Sequence, residues 1–451
     1  MFAPGHLGEL TQYLPFELVD AVLEETGRVE RRLRDLPSRV GVYFVLAMSL
    51  YPGLGYLQVW RKVIAGLSGL AVPVPTAKAL RDLRRRVGEQ PIAQLFAVVA
   101  GPLAQRHTPG VRFGRWRTVS FDGCTSIKAP DSGRNVGWLR KATAALGVTG
   151  YPMVEVMTLV ETGTRALLGA VFGPTATSET QYATRLLHLL SADMLVLADR
   201  GFDATAFLEK LAATKAQFLV RLRASRRPPI ICRLSDGSVL ARFGTLTVRI
   251  ITADVTVTCA DGTTWTACYR LVTTLTDHRR HQATALIRLY HERWEHEVTY
   301  LAIRHTLLQG RVLRSRDPVG LRQELWALLT LYQLLRIAMV EAIEHLPGTD
   351  PDRAPFTTAL LTAQDLLVKA ENVIPDDHVT IPGRIGHAVL EDLAPPRRPR
   401  VSVRKIKSPL SRWNKADPHR PRTSTPITNI TINSTGPAPT HQQTLTARPE
   451  P

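Results

Sequence analysis

Tyr290-His-Glu-Arg293-Trp294-Glu-His-Glu297-Val-Thr-Tyr-Leu-Ala-Ile-Arg304 is the stretch on which the reading of this chain turns. Tyr290, Arg293, Glu297 and Arg304 follow one another at spacings of three, four and seven. On one helix turning about 100° per residue they fall within roughly 60° of one another. Trp294 lies beside this stripe, whereas Glu292 and Glu295 point away, so the spacing singles out Glu297. A stripe of this kind is ordinarily core packing when its members are Leu and Ile. Here they are polar. One carboxylate flanked by two guanidiniums and a phenol suits a helix that holds a metal ion and grips phosphates.

Two further carboxylates stand where they can join it. Thr118-Val-Ser-Phe-Asp122-Gly123 reads as a strand running into a turn, and Met194-Leu-Val-Leu-Ala-Asp199-Arg-Gly-Phe202 as a strand ending in a carboxylate. Val154 to Val160, Ala166 to Phe172 and Gln217 to Arg223 read as strands, and Ser178 to Leu190 and Ala204 to Thr214 as helices. Three strands, a helix, a strand, a helix and another strand is the order of a ribonuclease-H-like core, an α/β fold. Asp122, Asp199 and Glu297 brought together would repel unless a divalent cation lay among them. Mg²⁺, or Mn²⁺ in its place, fits few carboxylates and leaves sites for water and phosphate oxygens. Two such ions can drive an in-line displacement at phosphorus. Asp131, Asp193 and Asp203 are worse placed, and His291, His296 and His305 do not share a face as zinc ligands would.

Around this core the texture changes. Residues 1–112 read as all-helical. Thr76 can cap the basic helix Ala77-Lys-Ala-Leu-Arg81-Asp-Leu-Arg84-Arg85-Arg86-Val87, which stops at Gly88. Helix, turn and capped basic helix is the outline of a helix-turn-helix DNA reader, with Arg81, Arg84 and Arg85 as phosphate contacts; a merely solvated face is the bland alternative. Residues 113–345 form the predicted core, interrupted at about 224–280 by a β-rich insertion with Asp236-Gly237 and Asp261-Gly262 turns. A less regular extension covers 346–394. Residues 395–451, rich in Pro, Thr, Ser and Arg, read as a disordered basic tail.

The whole chain of 451 residues carries 57 Lys and Arg against 39 Asp and Glu, a formal net charge of +18. That balance points to a polyanionic partner, nucleic acid before any other. Four cysteines without C-x-x-C spacing argue against zinc and against a disulfide framework. The N-terminus lacks the apolar core of a signal peptide. The apolar run from Leu325 to Ile343 is interrupted by Arg336 and Glu341 and reads as a buried core helix, so no membrane is expected and the cytoplasm, close to the nucleoid, is the expected location.

Taken together these segments resemble the DDE transposases of the bacterial insertion-element-4 family. Tyr290, Arg293 and Glu297 match that family's Y-(2)-R-(3)-E-(6)-K signature, with Arg304 standing where Lys is usual. Leu-Ala-Asp199-Arg-Gly-Phe202 resembles its second-aspartate motif and Ser-Phe-Asp122-Gly its first. Arg34 to Phe44 and Val59 to Lys62 resemble the N-terminal domain of one branch. The resemblance implies a recombinase that cleaves and joins double-stranded DNA at the terminal inverted repeats of its element and inserts it into target DNA, working as a homodimer in the synaptic complex. It implies Asp122, Asp199 and Glu297 as metal ligands, and Tyr290, Arg293 and Arg304 as phosphate or end-DNA contacts. Trp294 becomes a candidate for stacking on a flipped base. Arg304 for Lys keeps the charge but changes the contact geometry. Two rival readings remain: a catalytically inactive, transposase-derived DNA-binding regulator, and a ribonuclease-H-like nuclease that cleaves without joining.

Overall fold

The computed structural model describes residues 5–32, 34–67, 70–141, 143–144, 147–148, 150–259, 261–370, 382–396, 400–401, 405–406, 415–416 and 425–434. Five helices come first: α1 (Phe16–Glu25), α2 (Ser38–Leu50), α3 (Tyr56–Ile64), α4 (Ala77–Val87) and α5 (Gln90–Val99). Helix α4 has the limits its caps dictate. The Thr76 side chain accepts from the Ala79 N–H, and Gly88 ends the helix at a φ of 73° that L side chains rarely adopt. Strands β1 (Trp116–Lys128), β2 (Met153–Glu161) and β3 (Leu167–Pro174) follow, then α6 (Glu179–Thr184), β4 (Met194–Ala198), α7 (Thr205–Ala213) and β5 (Gln217–Arg221). The β-rich stretch is β6 (Ile230–Arg233), β7 (Val239–Phe243), β8 (Leu246–Cys259) and β9 (Thr264–Thr273). Helices α8 (Ala283–Tyr290), α9 (Trp294–Leu301), α10 (Pro318–Glu344), α11 (Phe356–Lys369) and α12 (Arg384–Glu391) precede a last strand, β10 (Thr425–Ser434).

The chain packs as two units, residues 1–196 with 292–397 and residues 197–291 with 398–451. In the first, β1, β2 and β3 form an antiparallel meander, with Asp122 opposite Thr158 and Val156 opposite both Cys124 on β1 and Phe172 on β3. The first-unit core is continuous from α1–α5 through the buried faces of β1 and β2 to α10, α11 and α12. Helix α10 is its axis: Leu325, Leu328, Leu329, Tyr332, Leu335 and Met339 are all buried. Apolar side chains on all sides of a long helix are what a central core helix requires.

In the second unit β8 and β9 form a long antiparallel hairpin, with β7 and β6 added beyond β8 and β5 paired with β9. The Asp236-Gly237 and Asp261-Gly262 pairs mark its turns, with φ of 81° and 80° at the glycines. The predicted disordered tail lies largely outside the described residues. Where it is described, Thr425–Ser434 departs from that expectation by pairing with β8, Ile430 opposite Val257 and Ile432 opposite Val255. Its run of Thr and Ile is β-forming even within a tail of otherwise polar composition.

Three further expectations are corrected. The strand carrying Asp122 does not stop at Gly123; it continues to Lys128, with a bulge between Cys124 and Ile127. Pairing with β2 overrides the local Asp-Gly turn signal. The extension after 345 is helical over α11 and α12. Finally, Tyr290 to Arg304 is not one continuous α-helix. α8 ends at Tyr290, His291–Arg293 is a 3₁₀ turn, α9 begins at Trp294, and Ala302–Leu307 is a π segment in which the Leu308 N–H reaches the Ile303 carbonyl at 2.9 Å. The break has a tertiary cause. Tyr290 and His291 pack on the Tyr269 ring, while Arg293 and Glu295 are held by carboxylate and guanidinium partners of the first unit.

Candidate active site

Asp122 and Glu297 meet at one guanidinium. Arg293 Nη1 lies 3.6 Å from Asp122 Oδ2, and Arg293 Nη2 donates to Glu297 Oε1 at 3.0 Å. The Arg293 side chain is 12% exposed, against 17% for Asp122 and 31% for Glu297, so the carboxylates open to solvent while the cation sits behind them. A positive charge shared in this way offsets part of the repulsion between two neighbouring carboxylates. Asp122 also orients itself locally, its Oδ1 accepting from the Gly123 N–H at 3.0 Å.

The helix bearing Glu297 is fastened to the strands that bear Asp122. His296 is wholly buried, with Nδ1 2.7 Å from Ser120 Oγ on β1 and Nε2 2.7 Å from Thr158 Oγ1 on β2. Burial first, and Arg293 second, lower its pKa to about 3. The imidazole is therefore neutral, with one nitrogen donating and the other accepting, and two hydroxyls can serve both. One turn further on, Tyr300 OH donates to the main-chain carbonyls of Asp122, at 2.8 Å, and Val156, at 3.0 Å, and accepts from Thr158. His296 and Tyr300, four apart, thus lay one face of α9 on β1 and β2. Glu297, about 100° round the helix from His296, is left beside Asp122. His296→Ala is expected to cost about 2–3 kcal/mol, a cavity plus two hydroxyls deprived of a partner. A urea midpoint equal to that of the parent protein would show that Ser120 and Thr158 re-pair without it.

Glu295 points the other way, as the spacing predicts, and its destination is structural. It is buried against Arg165, whose Nε donates to Glu295 Oε2 at 2.6 Å and whose Nη2 also pairs with Asp352.

The other predicted site residues are dispersed. Asp199 directly follows β4 and caps the 3₁₀ turn Arg200–Phe202, its Oδ1 accepting from the Gly201 N–H at 2.7 Å. It belongs to the second unit, as does Tyr290, which is 6% exposed and packs edge-on against Tyr269 at 5.9 Å. Tyr290 is thus packed within the second unit, and its part in phosphate contact stays with the proposal below. Arg304 lies in the π segment, partly buried, near enough for its charge to act on the Cys124 thiol, which burial nonetheless pushes up. Trp294 is partly buried at the start of α9.

On α4 the three arginines separate. Arg81 and Arg85 are exposed, with Asp82 3.8 Å from Arg85. Arg84 is 5% exposed and occupied inside the protein, donating to Gln323, the Tyr56 hydroxyl and the Gly320 carbonyl and pairing with Glu324 at 2.9 Å. Its reading as a DNA contact is therefore corrected. The signal was in the sequence: Leu80, Leu83, Arg84 and Val87 share the buried face. His296 and Tyr300 escape the sequence reading as positioning residues for the same reason, because it takes no account of the face that their spacing of four defines.

Comparison with known proteins identifies the family. Residues 4–97 match the family model described as insertion element 4 transposase N-terminal, and residues 119–334 match the transposase DDE domain, which takes in Asp122, Asp199 and Glu297. The chain is 27% identical over 426 residues to the transposase InsG for insertion sequence element IS4 of Escherichia coli strain K12, covering 89% of this chain and 92% of that protein. A structure of the piggyBac transposase synaptic complex with hairpin DNA aligns over 86% of this chain and 85% of its own at 12% identity, with a TM-score of 0.39. The resemblance drawn from Tyr290 to Arg304 and the two aspartate motifs is thereby shown: the chain belongs to the insertion-element-4 family of DDE transposases.

Proposed function

We propose that this transposase cleaves double-stranded DNA at the terminal inverted repeats of its element and joins the ends to target DNA, with Asp122, Asp199 and Glu297 holding Mg²⁺. The observation that carries the reading is the convergence of Asp122 and Glu297 on Arg293. Two hard oxygen donors, partly open to solvent and already arranged around one cation, suit a divalent metal. Among the described residues no three His, Cys, Asp or Glu side chains group closely enough to hold a metal ion alone. Mg²⁺ completes its shell with water and substrate phosphate, which end DNA would supply. DDE transposase domains depend on divalent metal as a class; the identity of the ion and the number of two are part of the proposal. When bound, such an ion sharpens a water or 3′-hydroxyl as nucleophile and steadies the leaving oxygen.

The chain's own residues do the rest. Arg293 bridges both carboxylates and offsets their mutual repulsion. His296 and Tyr300 fix Glu297 against the Asp122 strand. Arg304 offers a cation to phosphate, Tyr290 a further phosphate contact, and Trp294 a face for a flipped base. A ribonuclease-H-like arrangement of the core, a DNA-binding N-terminal helical region, and pairing of two copies across two ends complete the reading, and the net charge of +18 supports a DNA partner.

The test uses DNA bearing the element's own ends with Mg²⁺, Mn²⁺ or chelator. Metal-dependent nicking at the repeat boundary and joined product are expected. Binding without cleavage would leave the inactive regulator; cleavage without joining would leave a nuclease. On the N-terminal side, Arg81→Ala with Arg85→Ala should lower the slope of log affinity against log salt by roughly 2, about 0.9 for each phosphate no longer neutralised. An unchanged slope would remove this face of α4 from the DNA interface.

A further inference from the structure

Gly123 follows Asp122 on β1, so a side chain there would point to the opposite face of the strand. It is not the face on which α9 lies. A Cβ built at Gly123 would stand 2.7 Å from Glu155 Oε1 and 2.7 Å from Glu179 Oε1. Glu155 comes from β2, and Glu179 is the first residue of α6. Two carboxylate oxygens from different elements therefore close on one small space that only the absence of a side chain keeps open.

One of these oxygens is buried without a hydrogen bond among the described residues. Glu155 is 2% exposed, and its Oε1 meets no hydrogen-bond partner among the described residues. A buried carboxylate oxygen in that condition is costly unless something beyond the chain's own side chains satisfies it. Glu179, at the sheet side of α6, is only partly buried, which leaves a path for water.

We propose that Glu155 and Glu179 bind a divalent cation of the Mg²⁺ and Mn²⁺ class over Gly123, on the face of β1 opposite to Asp122 and Glu297. Hard cations take oxygens at about 2.0–2.6 Å, and the missing side chain leaves the two carboxyl groups room to converge on one, with water filling the remaining positions. The ion ties β2 to α6 behind the strand that carries Asp122, beside the bulge between Cys124 and Ile127. It braces the strand; it touches no reacting atom. The site shares no ligand with the proposed catalytic metal.

The test counts Mn²⁺ bound to the full-length protein, from the paramagnetic resonance signal of the free ion during titration. Glu179→Gln and Gly123→Ala are each expected to bind one Mn²⁺ fewer per chain than the parent. Asp199→Asn is expected to keep that ion. Mn²⁺ should also raise the melting temperature of Asp199→Asn by more than that of Gly123→Ala. Should Gly123→Ala fail to fold, the half-exposed position of Glu179 leaves Glu179→Gln to decide. A count unchanged by Glu179→Gln, zero included, overturns the proposal. A count unchanged by Asp199→Asn bears instead on the catalytic ligands and leaves this site standing.

Discussion

Glu297→Gln is expected to lower cleavage at the element's ends by about 10³-fold or more, because removing a metal ligand takes away several kcal/mol of transition-state stabilisation and each ~1.4 kcal/mol is tenfold. The structure makes this substitution a clean one. The amide has the shape of the carboxyl group, and its oxygen can still accept from Arg293 Nη2, which sits 3.0 Å from Glu297 Oε1. Arg293 keeps Asp122, and His296 and Tyr300 keep α9 on the sheet. What disappears is one negative charge facing solvent. Binding of end DNA should therefore persist, and the melting temperature should stay close to that of the parent. Gel-resolved cleavage in Mg²⁺ and in Mn²⁺, with binding measured on the same DNA, separates the two quantities. Cleavage at the parental rate would remove Glu297 from the metal and with it the assignment of the carboxylate set.

Much of the architecture is legible in the sequence because its signals are local. Thr76 and Gly88 bound α4 through a cap and a left-handed glycine, and the apolar runs around Val156, Ala170 and Val196 are strands whatever surrounds them. The pairing of Glu297 with Arg293 is legible too, since a spacing of four on a helix brings side chains together. What escapes depends on partners distant in sequence. No Gly or Pro announces the break at 291–293; it arises because Tyr269 claims the residues before it and ion pairs claim those after. The Asp122-Gly123 pair reads locally as a turn, yet its ladder with β2 carries the strand on to Lys128. Arg84 looks like its neighbours by charge and differs only by its place on the buried face. Gly123 itself reads as turn chemistry, whereas the two glutamates that define its surroundings lie 32 and 56 positions further along the chain.

Arg165→Met is expected to cost about 3–5 kcal/mol, the penalty of removing one partner from a buried ionic set. Arg165 is 4% exposed, on the turn between β2 and β3, and its guanidinium holds Glu295 of α9 and Asp352. Those two carboxylates are themselves 4% and 1% exposed. Without the guanidinium they would face each other in a dry interior, where each must take up a proton or drag water in. Methionine fills much of the vacated volume, so packing loss is the smaller part. The same change should reach function, since Glu295 lies two residues before Glu297 on α9 and Arg165 anchors the face of that helix opposite the site. Cleavage should therefore fall in a way that saturating DNA does not restore, even at temperatures where the variant remains folded. The electrostatic origin can be isolated by exchanging the set as a whole. Arg165→Met combined with Glu295→Leu and Asp352→Leu removes the three charges together and should recover much of the missing stability, measured as the urea midpoint. If the triple variant is as unstable as Arg165→Met alone, the cost lies in shape rather than in charge, and the ionic account of this anchor is wrong.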